Sequence, residues 1–327
     1  MDRGQAPRCG SEADPSFDFS ALDFQALWRG RETANQVERG LLRELLPTTR
    51  DGRVLELGTG EGRLTDLLQA PGQEYVGLDL EALFLSRVSK RFGADARRRY
   101  VLGNVLHLPF RDGTFSSVIL FRVINFLPAP EDCLSEAYRV LAPGGTFVIT
   151  HNPKPSWATL VDDLRAALKE PKDRRGEPLT FGRSEIAPVL RSNFPTYAMT
   201  RRKFAALTRS VGFRWTAERP SGLEDYWPWR GLPPQLFLSL SSSLAQLGGF
   251  PVRTVSLSKP GSLQRPLPPV EEVLACPRCR DPLPRTTWDT PQPCEGCGFV
   301  PSLREGLLDV RWPLIPRASP ARPGPEG

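Results

Sequence analysis

Histidine and cysteine are scarce in this chain of 327 residues, which contains 2 histidines and 6 cysteines. Four of the cysteines lie close together near the C-terminus, so the set is too small and too clustered for a disulfide scaffold. No apolar run approaches the roughly 18 residues that a membrane-spanning helix requires, and the N-terminus lacks an apolar signal-peptide core. We therefore expect a cytoplasmic protein with no membrane partner, in a reducing compartment.

Positive charge is concentrated in the second half of the chain. The net charge is +6, and residues 1–150 contain 18 basic and 20 acidic side chains. Residues 151–327 contain 25 basic and 17 acidic side chains. A basic half suits an anionic partner such as RNA, but an arginine-rich solvated surface has the same composition. Charge by itself leaves both interpretations open.

The stretch RVLELGTGEG at 53–62 has the pattern of a buried strand that ends in a tight turn. Glycine then occupies every second position, at Gly58, Gly60 and Gly62, where it lets the backbone turn sharply and a ligand approach. This pattern predicts a nucleotide-type site at the carboxyl end of a strand. The dinucleotide fingerprint requires glycine or alanine where this chain has Arg63, which argues against a nicotinamide enzyme.

A second strand, YVGLDLE at 75–81, ends in Asp79, 21 residues after Gly58. A carboxylate at this place can accept hydrogen bonds from both hydroxyls of a ribose. A glycine turn without any ligand is the alternative interpretation.

Strands alternate with helices up to residue 150, which predicts a doubly wound parallel sheet. The pattern predicts a helix from Arg63 onward and another over 131–141, stopped by Pro143-Gly144-Gly145. Strands are predicted at 53–57, 74–79, 99–102, 116–121 and 145–150. Later in the chain, a helix, a glycine turn and a strand are predicted over 199–220, a helix over 235–247 and a final strand over 251–257.

Several ordered motifs within 51–150 resemble class I S-adenosylmethionine-dependent methyltransferases of the type 11-like group. Besides the glycine turn and Asp79, they are GNVLHLPF at 103–110, DGTFSSVIL at 112–120 and EAYRVLAPGGTFVIT at 136–150. The resemblance implies an α/β fold, with a Rossmann-like doubly wound sheet of seven strands, and S-adenosylmethionine as the methyl donor. It also implies that such an enzyme mainly binds and aligns its two substrates.

The resemblance also assigns roles around the donor. Glu56 would order the glycine turn, the turn would admit the amino-acid end of the donor, and Asp79 would hold the ribose. Asn104 replaces the usual aspartate at the adenine amino group, where its carbonyl oxygen can still accept a hydrogen bond. The implied cofactor-binding residues are Glu56, Gly58, Gly60, Gly62, Asp79, Asn104, Val105 and Phe121.

A catalytic base is harder to identify. Where many relatives have paired histidines after the fourth strand, this chain has Asn125 and Phe126. The Asn/Asp-Pro-Pro-Tyr motif of amino-group methylases is also missing, which argues against adenine N6 or a glutamine amide as acceptor. The weak catalytic candidates are His151, just past the fifth strand, and Asn125.

Two CxxC pairs near the C-terminus, Cys276/Cys279 and Cys294/Cys297, are separated by 14 residues. Four thiolates at this spacing predict a closed, structural Zn²⁺ site in a small zinc ribbon. Unligated cysteines are the alternative interpretation. We expect Cys294→Ser to lower stability and to leave donor affinity nearly unchanged, because the zinc ribbon is expected to be a separate domain.

The ribbon resembles the small activator subunit of tRNA and ribosomal methyltransferases, through its Leu-x-Cys-Pro opening and the run Gly306-Leu307-Leu308. Zinc ribbons also serve as docking or nucleic-acid modules. A protein partner, RNA, or the chain's own methyltransferase domain therefore all remain possible contacts of this ribbon.

The expected organisation has one large domain with appendages. We expect disordered tails at both ends, cap helices over the donor cleft and an insertion before the sixth strand. Trp28 in the cap helices is either a lid residue of the cleft or, as the favoured alternative, an ordinary core tryptophan. The boundaries are 1–16 (tail), 17–50 (cap helices), 51–258 (methyltransferase domain with an insertion at about 151–200), 259–270 (linker), 271–312 (zinc ribbon) and 313–327 (tail).

The expected function is methyl transfer from S-adenosylmethionine to an unidentified acceptor. A small molecule is slightly favoured, because Tyr226, Trp227 and Trp229 can wall an apolar pocket. One alternative is a tRNA or rRNA methyltransferase with a basic track; another is a non-catalytic donor-binding scaffold that docks a partner through its ribbon. The arginines and lysine of that track are Arg201, Arg202, Lys203, Arg209, Arg214, Arg278, Arg280 and Arg285.

Overall fold

The computed structural model describes residues 28–46, 52–69, 72–127, 129–154, 156, 199–225, 232–241, 243, 249–263, 267–283 and 286–312. Both predicted tails, nearly all of the expected insertion and the aromatic segment around Trp227 lie outside the described residues.

A mixed sheet forms the centre of the protein. Nine strands make up the sheet in the described part of the chain, in the order β6-β7-β5-β4-β1-β2-β3-β9-β8. Strands β1 to β5 are parallel, and β7 runs antiparallel between β5 and β6. The strands are β1 (Arg53–Leu57), β2 (Glu74–Asp79), β3 (Arg98–Leu102), β4 (Phe115–Leu120), β5 (Leu141–His151), β6 (Arg214–Ser221), β7 (Val252–Ser258), β8 (Ser302–Arg304) and β9 (Leu307–Asp309).

Helices cover both faces of this sheet, because its parallel strands are apolar on both sides and must be buried. Helices α1 and α2 pack over one face, and α3 and α4 over the other. None of the described helices is long and apolar enough to cross a membrane. The helices are α1 (Glu32–Leu45), α2 (Ala82–Phe92), α3 (Pro130–Val140), α4 (Arg201–Val211) and α5 (Pro234–Ser241).

Local signals explain where these helices begin and end. Helix α3 has proline in its first turn, followed by acidic residues that favour the positive end of the helix dipole. The hydroxyl of Thr200 accepts a hydrogen bond from the amide of Lys203 at the start of α4. Gly212, with φ of 111°, ends the same helix in the left-handed conformation.

The helix predicted from Arg63 onward is wrong for the described residues. The chain there forms turns and a single 3-10 turn at Thr65–Leu67. The Thr65 hydroxyl donates to Glu56 at 3.1 Å, and Asp66 accepts from Arg39 at 2.9 Å. These contacts hold the segment close to β1 and to α1, so it turns instead of continuing as an α-helix.

Strand β5 begins at Leu141, earlier than the predicted residue 145. The Pro-Gly-Gly sequence therefore lies inside the strand, where pairing with β4 shifts register between Phe115 and Ser117. Backbone bonds from the amide of Gly144 to the carbonyl of Lys259 and from the amide of Lys259 to Gly145 continue the pairing with β7. Tertiary pairing thus extends a strand across residues that locally favour a turn.

The cysteine-containing segment joins the central sheet. Strand β9 pairs in parallel with β3, matching Val101 with Leu308, and β8 pairs with β9 as a hairpin. Leu274 forms a further bridge with Phe110. Buried residues of the ribbon, Trp288 among them, belong to the same hydrophobic cluster as the core under α3. The ribbon is therefore packed on its own chain as an extension of the sheet.

Candidate functional site

A cavity of about 930 Å³ opens at the carboxyl ends of β1, β2 and β4. This is the edge of a doubly wound sheet at which ligands bind. The cavity is lined by seven of the eight residues that the sequence predicts for the donor: Gly58, Gly60, Gly62, Asp79, Asn104, Val105 and Phe121.

The turn after β1 has a backbone that only glycine adopts easily. Gly58, Gly60 and Gly62 have φ values of 72°, 53° and 76°. A Cβ atom on Gly58 would also lie 2.4 Å from Cγ2 of Val123. The loop after β4 thus comes directly against the turn, and both loops border one cavity.

Asp79 is connected to the glycine turn. Its Oδ2 accepts a hydrogen bond from the Gly60 amide at 2.7 Å, and its Oδ1 accepts one from the Glu81 amide at 3.0 Å. Burial raises the pKa of this carboxyl above its usual value. Each carboxylate oxygen has a further lone pair, so Asp79 can still accept hydrogen bonds from two hydroxyls.

Asn104 lies between the cavity and the ribbon. Its Oδ1 accepts from the Leu106 amide at 3.0 Å, and its Nδ2 lies 3.4 Å from the carbonyl of Trp312. The Arg311 guanidinium donates to the carbonyl of Leu80, which also lines the cavity, at 3.1 Å. The end of the ribbon therefore supports this side of the site, a contact that the sequence did not indicate.

Glu56 lies beneath the glycine turn and is not part of the cavity lining. Its carboxylate accepts hydrogen bonds from the hydroxyls of Tyr75 and Thr65. Burial is the main cause that raises the pKa of Glu56 to about 7, and the hydrogen bonds from Tyr75 and Thr65 oppose it. The side chain ties β1 to β2 and to the segment after the turn.

This pKa predicts a pH-dependent effect of Glu56→Gln. The folded state holds the proton up to about pH 7, whereas the unfolded chain releases it near pH 4.5. The native protein should therefore lose stability as the pH rises through this window, by an amount on the order of 3 kcal/mol. Glutamine cannot ionise, so the variant should gain stability relative to the native protein between pH 5 and pH 8.

Chemical denaturation at pH 5 and at pH 8 measures the difference in stability between Glu56→Gln and the native protein. Glu131→Gln, at an exposed glutamate of α3, is the matched control. A stability difference between Glu56→Gln and the native chain that is the same at pH 5 and pH 8 contradicts the assignment.

A group that we call the Trp28 cluster consists of Trp28, Arg31, Glu38, Arg63 and Arg122. The guanidinium carbons of Arg63, Arg31 and Arg122 lie 4.0, 5.1 and 5.9 Å from the centre of the Trp28 ring. Arg63 and Arg122 both donate to the carboxylate of Glu38, which is fully buried on α1. Three separate segments supply these residues, so sequence spacing did not reveal the cluster, apart from Trp28 as a cap residue.

The two weak catalytic candidates lie outside the cavity lining. His151 is fully buried and stacks on Phe204, with 4.0 Å between ring centres. Burial, with help from Arg253, lowers the pKa of His151 to about 3. Asn125 exchanges hydrogen bonds with the backbone of Asn152 and so joins the loops after β4 and β5.

The four ribbon cysteines converge on one point. Their sulfur atoms all lie within 4.8 Å of one another, with 3.5 Å between Cys276 and Cys297 and between Cys279 and Cys294. A tetrahedral site with Zn–S bonds of about 2.3 Å places its sulfurs about 3.8 Å apart. The donor set and its spacing therefore fit a Zn²⁺ ion.

The two CxxC turns have the same backbone hydrogen bonds. In the first, the amide of Arg280 donates to the carbonyl of Cys276, and in the second the amide of Gly298 donates to Cys294. Arg280 and Gly298 have nearly equal positive φ values of 67° and 71°. This repeated turn orients each pair of thiols toward the common centre.

None of the predicted RNA-binding side chains lines the cavity in the described residues. Arg201 pairs with Glu218 next to β6, at one edge of the sheet. Arg280 pairs with Glu136 of α3, and Arg278 lies over the Trp312 ring. Arg285 lies outside the described residues. The described members of the proposed track thus do not border the cavity.

Comparison with known proteins gives one family match, to the family described as "Methyltransferase domain", over residues 55–149. Demethylmenaquinone methyltransferase of Thermus thermophilus is 42% identical over 155 residues, which are 44% of this chain and 64% of that protein. The ubiquinone/menaquinone biosynthesis C-methyltransferase UbiE of Dinoroseobacter shibae is 32% identical over 165 residues, which are 48% of this chain and 63% of that protein. The chain spans less than two thirds of the length of each of these relatives.

One similar solved structure is a chain of the complex between the Haloferax volcanii Trm112 methyltransferase activator and its methyltransferase partner. The sequence identity is 16% and the TM-score is 0.48. The similarity covers 73% of this chain and 99% of that chain. The family match coincides with the strands and the glycine turn that build the cavity. Residues 55–149 are therefore similar to a methyltransferase domain in the part of the chain that builds the cavity.

Proposed function

We propose that this protein is an S-adenosylmethionine-dependent methyltransferase that acts on a small molecule. The observation that supports the proposal most is the cavity at the carboxyl ends of β1, β2 and β4, with Asp79 bonded to the glycine turn. The donor, when bound, supplies an activated methyl group. The protein then has to align the acceptor and exclude water.

The residues that would hold the donor follow from their places in the cavity. The turn at Gly58 and Gly60 leaves backbone exposed to the amino-acid end, and Asp79 can accept from the ribose hydroxyls. Val105 and Phe121 would supply apolar contact to the donor. Glu56 acts from below the turn by fixing its conformation.

A small-molecule acceptor is supported by the size and lining of the cavity. A volume of about 930 Å³ lies near the upper end of the range of small-molecule sites, which is about 300–1,000 Å³. Its remaining walls include Val123, Phe126 and Leu127, which suit an apolar body. The two curated relatives are named for methylation in quinone biosynthesis, which is consistent with an acceptor of this kind.

We also propose that the four cysteines bind one structural Zn²⁺ ion. A site with four thiolate ligands is closed, so the ion would stabilise the ribbon and take no part in methyl transfer. Metal analysis of the purified protein should find about one zinc per chain.

Donor binding and transfer test the proposal in two steps. Calorimetry should show that S-adenosylhomocysteine binds the purified protein. Incubation with methyl-labelled donor and a cell extract should then place the label in the small-molecule fraction. Absence of binding refutes the donor site. Binding without transfer into any fraction supports the scaffold alternative, and label in RNA supports the nucleic-acid alternative.

A further inference from the structure

We infer that the end of the ribbon is a positioning element of the donor site, in which Trp312 sets the orientation of the Asn104 amide and Arg311 holds the loop after β2. This role rests on the proposed function and concerns the adenosine half of the donor. It is separate from the role proposed for the cysteines, because the groups that act here are a carbonyl, an amide and a guanidinium.

Parallel pairing brings the end of the ribbon to the cavity. Strand β9 runs parallel to β3, with Leu102 beside Asp309 in the register, and the Val310 amide donates to the carbonyl of Leu102 at 2.9 Å. Parallel strands end at the same edge of a sheet, so the residues after β9 lie at the edge where ligands bind. Asn104, which lines the cavity there, is two residues beyond the end of β3.

The amide of Asn104 is held by two backbone groups. Its Oδ1 accepts from the Leu106 amide at 3.0 Å, and its Nδ2 donates to the Trp312 carbonyl at 3.4 Å. Rotating the amide by half a turn would bring two donors together at Leu106 and two acceptors together at Trp312. Asn104 is only 7% exposed, so water could not compensate for such contacts. One orientation is therefore favoured, and its oxygen keeps a second lone pair for an amino group.

The same contact accounts for asparagine at position 104. A carboxylate has no hydrogen to donate, and one of its oxygens would replace Nδ2, which lies 3.4 Å from the Trp312 carbonyl oxygen. Two acceptors that face each other in a buried place are unfavourable, because neither recovers the hydrogen bond that it made with water. Asparagine keeps an acceptor for the donor and also supplies a hydrogen to the ribbon.

Arg311 makes the corresponding link to the ribose side. Its guanidinium forms an ion pair with Asp309 and donates to the carbonyl of Leu80 at 3.1 Å. Leu80 directly follows Asp79, whose Oδ1 accepts from the Glu81 amide at 3.0 Å. The bond from Arg311 therefore holds the turn that orients the carboxylate of Asp79.

The Trp312 carbonyl is held in place through the ring of the same residue. Phe299 meets this ring edge to face, with 6.0 Å between the ring centres, and the guanidinium carbon of Arg278 lies 5.0 Å from its centre. The Trp312 side chain is partly buried against the core cluster. These contacts fix the position of the backbone at Trp312, so Asn104 meets an acceptor in a defined place.

The test compares two ligands on the full chain by calorimetry: S-adenosylhomocysteine and S-inosylhomocysteine, in which an oxo group replaces the amino group of the base. The native protein should bind the adenosyl compound about tenfold more tightly, because Oδ1 of Asn104 accepts from an amino group and not from an oxo group. Trp312→Ala should reduce this preference severalfold, since an amide released from the ribbon can turn its NH2 group toward the oxo compound. Loss of stability alone would weaken both ligands and leave their ratio unchanged.

Two further variants separate the two links. Arg311→Met should weaken both ligands by the same severalfold factor, because the ribose is common to them. Arg304→Met, on β8 and outside the cavity lining, is its control and should change neither affinity. Asn104→Asp should weaken S-adenosylhomocysteine about tenfold, because it removes the hydrogen bond to Trp312 at nearly constant volume. Asn152→Asp, also outside the lining, controls for the added charge.

The Asn104→Asp variant keeps the test decisive if Trp312→Ala does not fold. A folded Trp312→Ala protein with the native ratio of affinities overturns the inference. So does an Asn104→Asp protein that binds S-adenosylhomocysteine as tightly as the native chain, or a native chain that binds both ligands equally. Failure of the proposed function is distinct, because the native chain would then bind no S-adenosylhomocysteine at all.

Discussion

Cys294→Ser is expected to destabilise the fold by several kcal/mol and to weaken donor binding as well. Structural zinc contributes roughly 10–16 kcal/mol of apparent binding energy in small zinc domains, so loss of one of four ligands is costly. Strand β9 pairs with β3, and the amide of Val310 donates to the carbonyl of Leu102. A loosened ribbon therefore releases the strand that precedes Asn104.

This outcome differs from the sequence-based expectation that donor affinity would stay nearly unchanged. The difference arises because Arg311 donates to Leu80 and Asn104 contacts Trp312, both at the edge of the cavity. We expect S-adenosylhomocysteine affinity to fall about tenfold at a temperature where the variant remains folded. Chemical denaturation, metal analysis and calorimetry on one preparation measure the three effects.

Two further variants separate local from general effects. Arg311→Met keeps all four thiols and removes both the bond to Leu80 and the ion pair with Asp309, so it should weaken the donor severalfold with zinc retained. Val300→Ser, at a position 64% exposed on the same ribbon, should change neither stability nor affinity. A Cys294→Ser protein that lacks metal yet keeps native stability and affinity would refute the coupling.

Asp79→Ala is the second change with a large expected effect. It removes the acceptor of the Gly60 amide and both oxygens proposed for the ribose hydroxyls. Hydrogen bonds to a charged group contribute about 1.5–3 kcal/mol each, so S-adenosylhomocysteine affinity should fall at least about a hundredfold. Asp79→Asn keeps one acceptor oxygen and should lose less, about tenfold.

Calorimetry measures these affinities, with thermal unfolding to show that each variant is folded. Asp112→Ala is the control, because this carboxylate is 79% exposed, pairs with Arg139 and lies outside the cavity lining. Its donor affinity should match that of the native chain. If Asp79→Ala binds S-adenosylhomocysteine as the native chain does, Asp79 is not part of the donor site.

Much of the fold was predictable because its signals are local. The strand bounds over 53–57 and 74–79 agree with the structure, since short apolar runs bounded by glycine or acid define buried parallel strands. The helix, glycine and strand predicted over 199–220 are also present. One exception is the segment after Gly62, where Glu56 and Arg39 bind the chain that local propensity favours as a helix.

Part of the site was equally accessible to sequence reasoning. The positions of Gly58 and Asp79 in the cavity follow from chain order, because the carboxyl ends of parallel strands meet at one edge of the sheet. The convergence of the cysteines follows from two equal CxxC turns. In each case the prediction depends only on residues close in sequence or on a known arrangement of strands.

The sequence by itself therefore determined the doubly wound sheet, the glycine turn with its acid, and the four-thiol cluster. Only the tertiary structure decided that Arg122, Arg63 and Glu38 meet around Trp28, and that β9 extends the sheet beside β3. The physical reason is the distance along the chain between these groups. Side-chain pairs and edge-strand pairing across such distances depend on how the whole core packs, and no short pattern encodes them.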